Sequence, residues 1–182
     1  MIKYAITDPS FFNTKKNKVS YLESINSRVD YLLFRDKSSK NYKAQALEFI
    51  NLSKNYNFKK IIHQDYKLAK DLNAFGVHLT SLQFSDIKKA KELGLFVIIS
   101  THSFEEIKKA QDLGADAVTF SPIFDTPNKG EPKGVEALKK AVESFNIKII
   151  ALGGIVSPKH IDLIKETKAY GFASIRYFLK CS

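Results

Sequence analysis

Two stretches of this chain carry the residue types needed to hold an anion. The first is Ser121-Pro122-Ile123-Phe124-Asp125-Thr126-Pro127-Asn128-Lys129, which puts hydroxyls and a lysine on a loop stiffened by prolines. The second is Ala151-Leu152-Gly153-Gly154-Ile155, a glycine pair where backbone can come close to an oxyanion. Each follows directly on an apolar, β-branched run, residues 116–120 and 147–150. The arginines point the same way. The chain has only Arg28, Arg35 and Arg176 and otherwise relies on lysine. Arg35 ends the run Tyr31-Leu32-Leu33-Phe34, and Arg176 follows Ala173-Ser174-Ile175. A guanidinium at a strand end suits planar recognition of phosphate or carboxylate. For Arg176 an ordinary surface arginine is an equally open reading.

The histidines are less specific. His78 alternates with apolar neighbours in Gly76-Val77-His78-Leu79, so it reads either as a ligand-binding residue or as a hydrogen-bonded interior one. His102 lies between a strand and a helix start, where it can serve a site. His63 and His160 read as structural or surface residues. No histidine–carboxylate spacing suggests zinc, and no serine sits in a nucleophile elbow.

These residues act together only if the fold gathers them. Strand-like runs fall near 2–7, 29–34, 59–63, 75–79, 95–100, 116–121, 147–152 and 170–175, alternating with amphipathic helical stretches. Ser103 with Glu106 three residues later, Ser85, and Ser157-Pro158 all read as helix starts. Eight such units predict an α/β fold, a small (β/α)8 TIM barrel, whose working residues sit at the C-terminal strand ends. An open doubly wound sheet is the alternative; it asks for a glycine-rich turn after the first strand, and Thr7-Asp8-Pro9-Ser10 has none. Barrel closure would deliver Thr7 and Asp8, Arg35, Asp36 and Lys37, Gln64 and Asp65, His78, Ser100 and His102 to one mouth. Ser121, Thr126 and Lys129, Gly153 and Gly154, and Arg176 would join them. That set suits phosphate or pyrophosphate better than a neutral sugar or a peptide. The glycine-flanked loop 121–134 reads as a lid that carries Lys129 onto the anion.

Length and composition agree. The 182 residues read as one domain spanning 1–182, lean beside the ~250 residues typical of such barrels. Only Arg176 to Ser182 follow the last strand, so the final helix is truncated. Tyr177, Phe178 and Leu179 then leave an apolar face that a homodimer could cover. The net charge is +10, but its lysines lie beside acids along helix faces, which argues for steering of a small anion rather than nucleic-acid binding. The chain opens on strand-like Ile2-Lys3-Tyr4-Ala5-Ile6 with no leader pattern, and no apolar run approaches the ~20 residues of a membrane span. With Cys181 its single cysteine, it reads as a protein of the reducing cytoplasm.

Six segments in order resemble the thiamine phosphate synthase family, which includes the TenI-type thiazole tautomerases. They are Tyr4-Ala5-Ile6-Thr7-Asp8, Phe34-Arg35-Asp36-Lys37, Gly76-Val77-His78-Leu79, Ser100-Thr101-His102, Ser121 to Lys129, and Ala151 to Ile155. The resemblance implies a (β/α)8 barrel that joins hydroxymethylpyrimidine pyrophosphate to thiazole phosphate with release of pyrophosphate. On that template Arg35, Lys37 and Lys129 hold the pyrophosphate with Ser100 beside it. Thr126 contacts the thiazole, and Gly153, Gly154 and the backbone near Arg176 hold the thiazole phosphate. Gln64, His78 and His102 fall among the substrate-binding positions.

The departures from the family pattern cluster on one half of the site. Leu33 replaces a glutamine that would hydrogen-bond pyrophosphate. The family's Mg²⁺ carboxylates correspond to Asp65 and Gln83, and an amide is a poor substitute for a carboxylate on Mg²⁺. Asn128 replaces a threonine, and Pro122 stands where the tautomerase has its catalytic histidine. The resemblance therefore implies a divergent synthase, with a TenI-type tautomerase or a non-catalytic binder of thiamine-related phosphates as alternatives.

Overall fold

Eight parallel strands close into a barrel in strict chain order: β1 (Ile2–Ile6), β2 (Tyr31–Phe34), β3 (Lys59–His63), β4 (Gly76–Leu79), β5 (Phe96–Thr101), β6 (Ala117–Phe120), β7 (Lys148–Leu152) and β8 (Gly171–Ser174). The computed structural model describes residues 1–179; Cys181 lies outside them. Each expected strand is present, with its ends shifted by at most two residues. Side-chain alternation divides the strands between two cores. Tyr4, Ile6, Tyr31, Leu33, Ile61, Ile98 and Ile150 fill the barrel. Ala5, Leu32, Ile62, Val77, Val97, Val118 and Phe172 face outward into the layer beneath the helices.

The helices are short, as the length demands: α1 (Lys15–Ile25), α2 (Tyr42–Ser53), α3 (Tyr66–Asp71), α4 (Ile87–Glu92), α5 (Phe104–Asp112), α6 (Gly134–Ser144) and α7 (Pro158–Glu166). Two of the three expected starts are built as read. The Ser103 hydroxyl accepts from Glu106 N–H at 3.2 Å, and Ser157 caps α7 with Pro158 in its first turn. Ser85 is different. It lies inside a 3-10 turn, Phe84–Asp86, and α4 begins after it with no side-chain cap. Gln83 supplies the hydrogen bonds that shape this turn, and that cross-loop role is not visible in local spacing. None of the described helices is long and apolar enough to cross a membrane.

After β8 the described residues end in a 3-10 turn, Arg176–Leu179, that folds its aromatic residues inward. The Phe178 ring stacks on Phe172 at 5.8 Å, and Tyr177 stands edge-on to both rings. Phe178 is 2% exposed, while Leu179 is 40% exposed. The apolar face expected to remain open for a homodimer is thus largely closed by the chain itself.

A polar column crosses the barrel interior below the C-terminal mouth. The Tyr4 hydroxyl lies 3.0 Å from His78 Nδ1, and His78 Nε2 lies 3.1 Å from Ser100 Oγ. The His63 ring stands edge-on to His78. Burial, then His63 and Arg35, lowers the His78 pKa to about 3. Burial, then Arg35 and Lys37, lowers that of His63 to about 4. Both rings are neutral near pH 7.

This packing makes two predictions. Phe178→Ala should cost about 3 kcal/mol and Leu179→Ala less than about 0.5 kcal/mol in urea denaturation; equal effects would mean that the aromatic turn does not close the barrel. The second concerns pH. Unfolded histidines take up protons near pH 6.5, whereas His63 and His78 resist protonation until about pH 4 and 3. Between those values the unfolded state binds more protons, so stability is complete above about pH 6.5 and falls as pH drops. Urea midpoints should decline from pH 7.5 to pH 5, and His78→Gln should flatten the decline. An identical slope in the variant would place its cause elsewhere.

Candidate functional site

The C-terminal strand ends surround a cavity of about 600 Å³, within the usual range for small-molecule sites. Its floor is the top of the barrel interior, made by Ile6, Leu33, His63, His78 and Ser100. Of the residues expected at the mouth, Arg35, Lys37, Gln64, His78, Ser100 and His102 line it, as do Ser121, Thr126, Lys129, Gly153, Gly154 and Arg176. Thr7, Asp8, Asp36 and Asp65 do not, nor does Gln83.

Three cations converge here from two strand ends, Arg35 and Lys37 after β2 and Lys129 after β6, and turn chemistry sets each one. Arg35 directly follows β2. Its backbone N–H donates to the buried Thr7 hydroxyl at 2.9 Å, and that hydroxyl donates back to the Arg35 carbonyl at 3.3 Å. The Arg35 guanidinium lies 3.6 Å from the Asp8 carboxylate. Thr7 and Asp8 therefore work by holding Arg35. Asp36 shapes the next turn, because its Oδ1 accepts from Ser38 N–H, Ser38 Oγ and Ser39 N–H. That turn presents Lys37.

Lys129 arrives from the β6–α6 loop, where its N–H donates to the Thr126 carbonyl at 3.2 Å. Pro127 and Asn128, the latter at φ +62°, occupy the middle of this turn, in the pattern of type II. Asparagine tolerates that backbone, whereas a β-branched residue is strained there. This accounts for Asn128 in place of threonine. The Lys37 pKa is lowered, first by Arg35, then by partial burial, then by Lys129. In a ring of eight, β2 and β6 stand opposite each other. The loop expected as a lid brings Lys129 to the cavity wall, near enough for its charge to contribute to the lowered Lys37 pKa.

The glycine pair has a second purpose that spacing does not reveal. A Cβ on Gly153 would stand 2.7 Å from Pro122 Cα, and one on Gly154 would stand 2.5 Å from the Asp125 carbonyl oxygen. Both residues have positive φ. The Ile123 and Phe124 N–H groups donate to the carbonyls of Leu152 and Gly153 at 2.9 and 3.1 Å. Phe124 then stacks on His160 of α7 at 4.3 Å. The close approach made possible by these glycines is in the first place that of the 121–126 loop. The pair seats the loop that carries Thr126 and Lys129.

His102 is exposed at the rim, with Nδ1 3.1 Å from the Ser121 carbonyl oxygen. Arg176 stands on the other side, at the start of the closing turn. That turn is pinned by Ser174, whose hydroxyl donates to the Ile155 carbonyl at 2.8 Å and accepts from Tyr177 N–H at 3.1 Å. His63, which reads from sequence as a structural or surface residue, lines the cavity instead. Its position at the end of β3 is the signal that could have placed it there. The Thr80-Ser81-Leu82 rim has no signal in local spacing, and there Leu82 is 92% exposed.

The residues implied for Mg²⁺ do not fit the ion. Asp65 Oδ1 caps α3 by accepting from Leu68 N–H at 2.8 Å. The Gln83 carbonyl accepts from Thr80 N–H and Oγ1, and its amide donates to the Gln64 carbonyl and to Asp86. Among the described residues no group of three or more His, Cys, Asp or Glu side chains could hold a metal. Gln83 is a brace between two loops. It holds Gln64, which sits at φ +65° with Asp65 N–H donating back to the His63 carbonyl, the arrangement of a tight γ-turn.

Comparison with known proteins agrees with this geometry. A thiamine-phosphate synthase of Saccharophagus degradans is 38% identical over 103 residues, covering 54% of this chain and 46% of that protein. One from Proteus mirabilis is 34% identical over 74 residues, covering 40% and 34%. The aligned stretches thus span less than half the length of these relatives. The solved thiamine phosphate pyrophosphorylase of Pyrococcus furiosus superposes with a TM-score of 0.80 at 26% identity, over 96% of this chain and 85% of that one. An N-acetylmannosamine-6-phosphate 2-epimerase of Clostridium perfringens, at 13% identity and a TM-score of 0.75, shares the fold alone. The family model for thiamine monophosphate synthase matches residues 3–178, and the chain belongs to that family.

Proposed function

We propose that this protein is a thiamine-phosphate-synthase-type transferase that takes a pyrimidine pyrophosphate and a thiazole phosphate into the cavity described above. The observation that carries this reading is the convergence of Arg35, Lys37 and Lys129 from opposite sides of the barrel onto one wall. Three cations for which the described residues supply no counter-anion, apart from the 3.6 Å contact of Arg35 to Asp8, suit a polyanionic ligand.

In this reading the pyrophosphate lies against the three cations with the Ser100 hydroxyl beside it. The thiazole phosphate lies on the Gly153–Gly154 and Arg176 side, and Thr126 reaches the thiazole from the loop between them. The pyrimidine methylene C–O bond breaks and its electron pair leaves with pyrophosphate. The thiazole nitrogen then donates its lone pair to the same carbon. No protein nucleophile or base is needed. The cations neutralise charge that grows on the leaving oxygen, and the closed mouth holds the nitrogen in line. Synthases of this family generally depend on Mg²⁺. Here the fixed charges fall to Arg35, Lys37 and Lys129, since Gln83 is committed to its loop contacts. A non-catalytic or thiazole-only role is the second reading, favoured by the apolar Leu33 on the cavity floor and by the Gln83 brace.

Calorimetric titration of the full chain decides between these readings. Thiazole phosphate and pyrimidine pyrophosphate should each bind. Lys129→Ala and Arg35→Ala should each weaken the pyrophosphate ligand by about tenfold or more, with little effect on the thiazole phosphate. Binding of thiazole phosphate alone would overturn the transferase reading in favour of the second.

A further inference from the structure

The direction of the proton along the Tyr4–His78–Ser100 column has a consequence for the ligand. Tyr4 is fully buried, and its hydroxyl has one hydrogen-bond partner among the described residues, His78 Nδ1 at 3.0 Å. A buried hydroxyl proton without an acceptor is costly. Tyr4 must therefore donate, which leaves Nδ1 as the acceptor. A neutral imidazole with a bare Nδ1 carries its proton on Nε2. That proton is donated across 3.1 Å to Ser100 Oγ. The reverse direction would have Ser100 donate to Nε2 and Nδ1–H donate to Tyr4, and it strands the Tyr4 proton inside the barrel.

Ser100 Oγ is then an acceptor within the protein, and its own proton has no protein partner among the described residues. The nearest hydroxyl along the sheet belongs to Thr119, the register partner of Ser100 on β6. Thr119 Oγ1 is buried and makes no hydrogen bond, so it does not take the Ser100 proton. Ser100 lines the cavity. We propose that Tyr4 and His78 are positioning residues that turn the Ser100 hydroxyl proton toward the cavity, where it is donated to an acceptor on the ligand such as a phosphoryl oxygen. The choice of a phosphoryl ligand rests on the anion-binding reading given above; the direction of the proton does not.

The test has two independent arms on the intact protein. Nitrogen-15 NMR of the imidazoles reports the His78 tautomer, with the resonance assigned through His78→Gln. A proton on Nε2 is expected, and a proton on Nδ1 overturns the relay. In the second arm, inorganic pyrophosphate is titrated by calorimetry. Tyr4→Phe, which removes only the hydroxyl, should weaken binding about three- to tenfold. Ser100→Ala should weaken it at least as much. The double variant should be no weaker than Ser100→Ala, because Tyr4 acts through Ser100. Additive losses would assign Tyr4 a merely structural role and overturn the proposal. If pyrophosphate fails to bind the unaltered protein, the anion reading falls and the ligand half of the proposal falls with it; the NMR arm still decides the proton direction. If Tyr4→Phe does not fold, the tautomer in the unaltered protein and its change in Ser100→Ala decide the proposal instead.

Discussion

Where β8 meets β1, Gly171 pairs with Ile2 in a space that admits no side chain. A Cβ there would stand 2.3 Å from Ile2 Cγ1 and 2.7 Å from the Ile2 carbonyl oxygen. Closure at this seam turns a row of strand ends into a ring. In an open sheet, β2 and β6 would lie four strands apart. In the ring they face each other across one mouth, close enough for Lys129 to depress the Lys37 pKa. The cationic rim of the cavity, the loop that carries Lys129 and the polar column beneath them all depend on that geometry.

Closure also sets the electrostatics. Eight strands leave an interior just wide enough for side chains to fill, so His78 and His63 lose their water and stay neutral. A neutral histidine can direct a proton where a charged one would only add to the cations above it. The same confinement commits every polar atom of the Tyr4–His78–Ser100 column to one arrangement. Positive charge is thereby confined to the rim, on Arg35, Lys37, Lys129 and Arg176, while the floor of Ile6, Leu33, His63, His78 and Ser100 is uncharged.

The loops show how a short chain economises. Few described residues at the mouth serve one purpose only. Thr7 ends a strand and orients Arg35. Asp65 caps a helix. Gln83 ties the β3 and β4 loops together. Gly153 and Gly154 seat the loop that carries Thr126 and Lys129 while forming cavity wall themselves. In the 3-10 turn that follows β8, Phe178 is buried against Phe172 and covers it.

Much of this was legible in the residues alone. The eight β-branched runs, their alternation with amphipathic stretches, and the positions of Arg35, Ser100, Lys129 and the glycine pair at strand ends set the barrel and twelve of the cavity-lining residues. That works because strand and helix periodicities are local, and because chain order in a barrel dictates which ends meet. Local spacing did not show that Gln83 is a brace, that His63 lines the cavity, that Gly153 and Gly154 make room for protein backbone, or that the last aromatics fold inward. Those facts concern which atoms meet across tens of residues. Such contacts are decided by packing and by the need to pair every buried polar group, and both exist only once the ring has closed.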